Sequence, residues 1–387
     1  MKKLEQRVPN LRFKGFTDDW EQRKLGDLFV YNRPDKYMVQ DTNYIDSGTP
    51  VLTANKSFVL GYTNENHTYN KLPAIIFDDF TLENKFVKFP FMVKSSAIKI
   101  LNSRNDQPMM FMYQLLQHSR FVHEGHSRHY ISIVQRKDVM VPDNVEEQKK
   151  IATLFSRIQN IITLQQRKLA LLKQLKKGLL QKMFADKDSK QPVLRFKGFH
   201  DDWEQHKLGE IITYYNGKSH EEQFRNAETQ NFELVTLKSI DGNGNLCSSE
   251  KYIDSTNNTL SKNDLIMVLS EQNTGLVGMT TLIPRDNYYV LNQRVALLKL
   301  HKNNSPFFLT DAINQHQIFF ERMSAGTKVQ NISKSNVENF NLYIPNYSEQ
   351  KEVGHIIALC QNIITLQQQK LAKYQSIKKS LLQQMFI

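Results

Sequence analysis

Four histidines fall within the stretch HSRFVHEGHSRH, and histidine is a common ligand of transition metals in proteins. They are His118, His123, His126 and His129. Their spacing would place two ligands on one helix face, but Gly125 interrupts a helix there, and the second half of the chain has no matching cluster. A basic surface loop is therefore predicted, and not a metal site.

Pieces of a metal-dependent nuclease signature, Pro-Asp and Glu-x-Lys, occur in VPDNVEEQKK. Their spacing is too short, and the second EQK, at Glu349, lacks the aspartate, so helix capping explains these residues better. The glycines of DGNGN, at 241–245, lack the third glycine and the helix of a nucleotide-binding turn. The sequence also has no P-loop, no Asn/Asp-Pro-Pro-Phe/Tyr tetrapeptide and no Gly-x-Ser-x-Gly elbow. We predict no catalytic residue, metal or cofactor in this chain.

Composition and charge narrow the class of protein. The chain is 40% apolar and 23% charged, lacks an eighteen-residue apolar run, and has an N-terminal stretch without the apolar region of a secretion signal. Cys247 and Cys360 lack metal-ligand spacing, so we expect reduced thiols and a cytoplasmic location. The net charge of +12 favours a nucleic-acid partner, and most of it lies in residues 147–184 and 349–387.

The chain contains a long internal repeat. RFKGFTDDWEQRKLG, residues 12–26, recurs as RFKGFHDDWEQHKLG, residues 195–209, at an offset of 183. The EQK segments starting at Glu147 and Glu349 match at an offset of 202, so the second copy has gained 19 residues, the difference of the two offsets. Two structural copies are predicted.

Each EQK segment has apolar residues at steps of three and four over about five heptads, which predicts a long helix. Asn144 and Asn346 are placed as N-caps, with Glu147 and Glu349 at the third helical position. About 38 residues would give a rod of roughly 57 Å, which favours an intramolecular antiparallel coiled coil. The alternative is two separate helices that each bind another protein.

Before each helix, short apolar runs alternate with turn residues, which is typical of short strands. PMMFMYQLLQH and SPFFLTDAINQHQIFFERM each predict one helix. The predicted fold class is α+β, with two domains joined by two long helices that form an antiparallel coiled coil with pseudo-twofold symmetry. The predicted segments are domain 1 (1–146), helix 1 (147–184), a linker (185–192), domain 2 (193–346) and helix 2 (347–387).

This layout resembles the specificity subunit of Type I restriction–modification enzymes over essentially the whole chain. The resemblance is carried by the doubled FKGF-x-DDWEQ-x-KLG phrases with Trp20 and Trp203, and by the proline-led EQK helix starts. It is carried also by the glycine-led stretches that begin at Gly125 and Gly326. The two tryptophans are predicted to be packing anchors, because their setting is the same in both copies.

The resemblance implies that each domain is a target recognition domain reading one half of a bipartite, asymmetric site in double-stranded DNA. It implies that the helices set the gap and dock two modification subunits, which use S-adenosylmethionine to methylate adenine N6. Two restriction subunits, which use ATP and Mg, join optionally, and no membrane is involved. Whether the lysines of the helices face DNA or the modification subunits stays open.

Candidate DNA-contacting residues are donors in predicted loops, since Arg and Lys pair with guanine and Asn or Gln with adenine. In the first domain they are Lys56, Lys94, Arg104, Arg128 and His129; in the second they are Lys238, Gln272, Asn273, Gln293, Arg294, Lys328 and Gln330.

Two other hypotheses remain open from the sequence. One is a stand-alone DNA-binding protein, such as a repressor, which would need no obligate partner. The other is a scaffold whose two modules bind another acidic ligand, and its binding would lack the steep salt dependence of phosphate contacts.

Overall fold

A computed structural model describes residues 7–54, 57–122, 128–185, 190–225, 227–271, 275–326 and 329–387. The chain divides into two compact units, one formed by residues 1–167 and 368–387 and the other by residues 168–367. Each unit therefore contains one α+β domain and a part of each long helix. Within the described ranges, no helix is both long and apolar enough to cross a bilayer.

The first domain is built from three small sheets. Its strands are β1 (Glu21–Lys24), β2 (Phe29–Asn32), β3 (Thr49–Leu52), β4 (Val59–Thr63), β5 (Ala74–Asp78), β6 (Asn84–Val87), β7 (Met92–Val93), β8 (Ile98–Ser103) and β9 (Asp138–Val141). The antiparallel order β2-β8-β5-β6 forms the largest sheet, β4-β3-β7 forms the second, and β1 pairs with β9. The strand β5 is buried along its whole length, as expected for the centre of a core.

The second domain repeats this topology. Its strands are β10 (Glu204–Lys207), β11 (Ile212–Asn216), β12 (Phe232–Val235), β13 (Tyr252–Ile253), β14 (Leu265–Val268), β15 (Ser270–Glu271), β16 (Thr280–Leu282), β17 (Tyr289–Leu291), β18 (Val295–Leu300), β19 (Gln330–Asn331) and β20 (Asn341–Ile344). The orders β11-β18-β14-β16, β13-β12-β17 and β10-β20 match the three sheets of the first domain. A short pair, β15-β19, is added. The prediction of two α+β copies is confirmed.

The four predicted helical segments are all helical, and four short helices that were not predicted are added among the described residues. They are α1 (Leu25–Leu28), α2 (Met109–His118), α3 (Val145–Met183), α4 (Leu208–Ile211), α5 (Glu221–Arg225), α6 (Pro306–Asn314), α7 (Gln317–Met323), α8 (Lys334–Glu338) and α9 (Tyr347–Met385). The segment SPFFLTDAINQHQIFFERM, predicted as one helix, forms two. The backbone of His316 leaves the helical region there (φ −110°, ψ 30°), and α7 begins at the next residue, Gln317.

The long helices α3 and α9 carry matching seams of buried or half-buried residues at alternating steps of four and three. On α3 these are Ile151, Phe155, Ile158, Ile162, Gln165, Leu169, Leu172, Lys176, Leu179 and Met183. On α9 they are Val353, Ile357, Cys360, Ile364, Gln367, Leu371, Tyr374, Lys378, Leu381 and Met385. This heptad spacing is that of a coiled-coil seam.

Cross-helix hydrogen bonds fix the helix direction within each unit. In the first unit Lys378 Nζ donates to Gln159 Oε1 (2.8 Å), and in the second Lys176 Nζ donates to Gln361 Oε1 (3.0 Å). Lys378 and Gln361 lie 202 residues after Lys176 and Gln159, so both units contain the same contact with the helices exchanged. A residue far along one helix meets a residue early in the other, which confirms the antiparallel pairing.

The two seam lysines have different surroundings. In the second unit Lys176 Nζ also lies 3.6 Å from Asp311 Oδ1 of α6, where burial raises the pKa of Asp311 and the lysine opposes that rise. In the first unit burial lowers the pKa of Lys378. Both lysines point into their own units, so they are not among the helix lysines that could meet DNA or another subunit.

An arginine from each repeated RFKGF phrase anchors the start of a long helix. Arg12 Nε and Nη2 donate to the two carboxylate oxygens of Glu147, each at 2.7 Å. Arg195 makes the same pair of bonds to Glu349, at 2.7 and 2.8 Å. Both glutamate side chains are completely buried, and the bond to Glu147 raises the pKa of Arg12. The RFKGF phrase and the EQK segment are separate repeats in the sequence. In each unit the structure joins them through one ion pair, whose glutamate is buried.

The predicted N-caps are present. Asn144 Oδ1 accepts from the backbone N–H of Glu146 (2.9 Å), and Asn346 Oδ1 accepts from that of Glu349 (3.0 Å). The carboxylates of Glu147 and Glu349, which the sequence assigned to capping, bind arginine instead.

Both tryptophans are packing residues, as predicted. Trp20 is 2% exposed, and its ring centroid lies 6.4 Å from that of Phe111 and 6.1 Å from that of Phe386, which follows the end of α9. In the second unit Trp203 packs against Phe308 and against Phe184, which follows the end of α3. Each helix end therefore closes the aromatic core of the unit in which it terminates.

Candidate nucleic-acid interface

In each domain a parallel strand pair brings two loops to one edge of a sheet. In the first domain β3 pairs with β7, and the N–H of Lys94, just after β7, donates to Leu52 O at the end of β3 (3.2 Å). In the second domain β12 pairs with β17, and the N–H of Asn292 donates to Val235 O (3.1 Å). Because the carboxyl ends of parallel strands meet at one edge, the loops that follow them are neighbours.

Two further backbone bonds attach more segments to the same edge. In the first domain Asp79 N donates to Ala97 O (2.9 Å), and His129 N donates to Asp79 O (3.0 Å). In the second, Leu269 N donates to Arg294 O and Ile332 N to Leu269 O, both at 2.9 Å. We call the resulting surfaces loop edges: residues 52–54, 79–82, 94–97 and 128–130 in the first domain, and residues 236–239, 269–271, 292–294 and 330–332 in the second.

The second loop edge brings together the predicted residues of that domain that the structure describes. Lys238 and Arg294 are exposed there, and Gln293 and Gln330 are half-buried. Gln330 Oε1 accepts from Ser324 Oγ (3.1 Å), and Arg294 has a left-handed backbone (φ 69°). The edge therefore presents both cationic and amide donors, the two side-chain classes that read guanine and adenine.

The first loop edge holds Lys94 and Arg128, both exposed. The Arg128 guanidinium lies 6.0 Å from the ring centroid of Phe80 on the same edge. Four other predicted residues, Lys56, Gln272, Asn273 and Lys328, lie outside the described residues.

Arg104 is not brought to this edge. It follows the far end of β8, where its Nη2 donates to Phe29 O (3.4 Å). The loop edge lies at the opposite end of β8, and six strand residues correspond to about 20 Å. The structure therefore does not bring Arg104 together with Lys94, since a position in a predicted loop does not say at which end of a sheet that loop lies.

The structure also argues against His129 as a DNA-contacting residue. Its side chain is completely buried, and Nδ1 lies 3.0 Å from Asp79 O, so the ring supports the loop edge from beneath. Of the other clustered histidines, His118 stacks on Phe386 (centroids 5.8 Å apart), and His123 and His126 lie outside the described residues. Across the ranges that the structure covers, no three potential metal-binding side chains are grouped.

Buried carboxylates under the loop edges were missed from the sequence. Asp79, 2% exposed, lies 3.1 Å from Lys99 Nζ and accepts from the N–H of Tyr130 (2.7 Å). Glu271, also 2% exposed, accepts from the backbone N–H groups of Gly275 (3.2 Å) and Val277 (2.9 Å), and from that of Leu276. Asp79 directly follows the completely buried strand β5, and Glu271 ends the short strand β15, three residues after the completely buried β14. An acid so close to a buried apolar run was the available signal.

Lys218 was also missed. A parallel bridge to Asn292 places this exposed lysine beside the second loop edge. The preceding Gly217 allows the close approach, because a Cβ there would lie 1.9 Å from Asn292 O. A glycine next to a lysine in GKS was the only sequence signal.

Two copies of one α+β domain, each with a polar loop edge and each held by an arginine to a buried glutamate at the start of a long helix, define a two-domain recognition protein. The chain belongs to the family of Type I restriction modification DNA specificity domains, whose sequence profile matches residues 17–174 and 200–375. This confirms the resemblance inferred from the repeated phrases and identifies recognition of DNA sequence as the general function.

Similar proteins agree with this assignment. The chain is 29% identical over 351 residues to the Type I restriction enzyme EcoR124I/EcoR124II specificity subunit of Escherichia coli, covering 86% of this chain and 84% of that protein. It is 22% identical over 398 residues to the MjaVIII specificity subunit of Methanocaldococcus jannaschii, covering 94% and 91%. The crystal structure of a Type I restriction–modification S subunit from M. genitalium shares the fold, with a TM-score of 0.74, 16% identity, and coverage of 98% of this chain and 99% of that one.

Proposed function

We propose that each domain reads one half of a bipartite, asymmetric DNA site, and that the chain itself catalyses no reaction. The observation that carries this proposal is one loop edge built twice on the same backbone scheme with different side chains. Lys94 and Arg128 stand on the first edge, while Lys218, Lys238 and Arg294 stand with two glutamines on the second. Two equivalent backbone arrangements that carry different hydrogen-bond donors suit two different half-sites.

The other proposed contacts are close to the two edges in sequence. Lys56 belongs to the connection between β3 and β4, and Gln272, Asn273 and Lys328 are close to β15 and β19 along the chain. Arg104 and His129 are left out for the reasons given above. Domain boundaries at 1–146 and 193–346, with a connection at 185–192, remain part of the proposal.

The long helices are proposed to set the gap between half-sites and to dock two modification subunits that methylate adenine N6 with S-adenosylmethionine. Restriction subunits that use ATP and Mg would join this complex optionally. A second heptad-spaced stripe on each helix supports docking, because it is mainly apolar and exposed. Its apolar residues are Ile161, Leu164, Leu171 and Leu175 on α3 and Leu359, Ile363, Leu366 and Ile377 on α9, with Arg157, Lys168, Lys370 and Lys373 at the remaining positions.

The half-site proposal is tested by exchanging residues 21–141 for the corresponding segment of a related specificity subunit. These limits keep Trp20, Arg12 and both long helices, so the helix pair and the residues that pack against it are unchanged. N6-methyladenine is then mapped genome-wide in cells that also express the modification subunit. We expect one half of the methylated motif to change and the other half, with the gap, to stay the same.

The matched exchange of residues 204–344 should alter the other half only. A change in both halves after either exchange, or an unchanged motif, would contradict the proposal.

A steep loss of DNA binding with salt is expected for the complex, since phosphate contacts release counterions. Binding that is insensitive to salt would favour a different acidic ligand.

Glu271→Gln is expected to impair the second half-site selectively. The buried carboxylate holds three backbone N–H groups of the segment between β15 and β16, and charge-assisted hydrogen bonds of this kind contribute about 1.5–3 kcal/mol. Methylation of the natural motif should fall about tenfold or more, with relaxed base preference in one half. The control, Asp79→Asn, should relax the other half; equal effects on both halves from either variant would argue for a general loss of folding.

A further inference from the structure

The exposed apolar stripes of α3 and α9 lie on one side of the helix pair. The exposed apolar residues occupy two positions of each heptad. One directly precedes a seam residue, as Ile161 precedes Ile162, and the other lies three residues later, as Leu164 does. In an antiparallel pair these positions of both helices flank the seam on the same side. The stripes of the two helices therefore form one exposed face in each unit.

The faces of the two units differ at two positions. The second-unit face comprises Leu171 and Leu175 of α3 with Leu359, Ile363 and Leu366 of α9, all exposed. The first-unit face comprises Arg157, Ile161 and Leu164 of α3 with Lys373 and Ile377 of α9. Each residue of one face corresponds to one of the other at the offset of 202; Lys373 is the counterpart of Leu171, and Arg157 is that of Leu359.

The cross-helix hydrogen bonds show where this lysine lies. Gln159 opposite Lys378 puts Leu164, five residues further along α3, level with Lys373, five residues earlier in α9. In the second unit Lys176 opposite Gln361 puts Leu171 level with Leu366 by the same count. A pair of leucines thus stands in the second unit where the first has a leucine and an ammonium group.

The surroundings of the faces indicate the chemistry of the partner. Lys168 is exposed at the heptad position of Leu175 on the second unit's helix segment, and Lys370 is exposed at that of Ile377 on the first unit's. A mainly apolar heptad-spaced stripe with cations among its positions fits an α-helix whose own heptad positions are mainly apolar and include acids. We take this helix to belong to the modification subunit, so the inference rests on the proposed docking function.

We infer that the two modification subunits bind this chain with unequal affinity, and that the second-unit face is filled first. Covering Lys373 with an apolar helix removes the ammonium group from water, whereas covering Leu171 removes apolar surface from water. The loss of one buried leucine contact corresponds to a difference of at least about tenfold in the two dissociation constants. A 1:1 complex should therefore accumulate before the 2:1 complex.

The experiment titrates the full-length chain with purified modification subunit and counts the complexes by native mass spectrometry. Lys373→Leu should bring the two dissociation constants within about threefold by tightening the second event. The matched variant Leu171→Lys should weaken the first event by about tenfold and leave the second unchanged. Both positions are exposed, so neither substitution disturbs a core.

Equal constants for the natural chain, or a ratio that Lys373→Leu leaves unchanged, would overturn the inference while keeping the docking proposal. Failure of the proposed docking gives a different result. Either no modification subunit binds, or binding is unaffected by Leu366→Lys and Leu164→Lys, which place a charge in the centre of each face.

Discussion

Arg12→Ala is expected to destabilise the first unit by about 3–5 kcal/mol. The Glu147 carboxylate is completely buried, and both of its oxygens accept from the Arg12 guanidinium at 2.7 Å. Removing the arginine leaves a charge without its partner where water cannot reach it, and that cost exceeds the value of the intact pair. Arg12→Lys should also be destabilising, because an ammonium group cannot make two parallel bonds to a carboxylate.

The chain has two tryptophans, one buried in each unit, and this allows the effect to be assigned. Urea unfolding is followed by fluorescence in a Trp203→Phe background, where Trp20 reports on the first unit. The control Arg195→Ala, in a Trp20→Phe background, should destabilise the second unit by a similar amount. Adding Glu147→Gln to Arg12→Ala should recover part of the loss, since the buried charge is removed; a double variant worse than the single one would disprove this explanation.

Phe386→Ala is the second large effect, also about 3–5 kcal/mol and confined to the first unit. The ring is 3% exposed, and its centroid lies within 6.1 Å of those of Trp20, Phe111, His118 and Phe155. Truncation would open a cavity in the middle of this aromatic cluster, which surrounding side chains on rigid helices cannot fill. The Trp20 fluorescence should shift to the red in the folded state, as water gains access to the indole.

The matched variant Phe184→Ala acts on the second unit. Phe184 is only half-buried and stacks on Phe308 with centroids 5.0 Å apart, so a smaller loss is expected there. Both variants are measured by urea unfolding with the single-tryptophan reporters. If Phe386→Ala changed the stability reported by Trp203 as much as that reported by Trp20, the closing role of the helix end would be refuted.

Much of the candidate site could be assembled from sequence alone, but not all of it. Lys94, Lys238, Gln293, Arg294 and Gln330 were chosen because they are donors between predicted strands, and the structure places them on loop edges. Their grouping depends on the parallel pairs β3-β7 and β12-β17, whose register no local pattern encodes. The same limit explains why Arg104, also a loop donor, is not grouped with them.

The amino-acid sequence by itself determined the repeat, the presence of short strands in each domain, the heptad seams and the burial of both tryptophans. Each of these features is written in residues that are neighbours along the chain, because periodicities of two or three to four residues decide which side of an element is apolar. Only the tertiary structure decided that Arg12 meets Glu147, 135 residues away, and that Phe386 closes the first domain and Phe184 the second. It also decided that His129 is buried. Such contacts follow from how the elements pack, and an isolated stretch of sequence does not specify its distant partner.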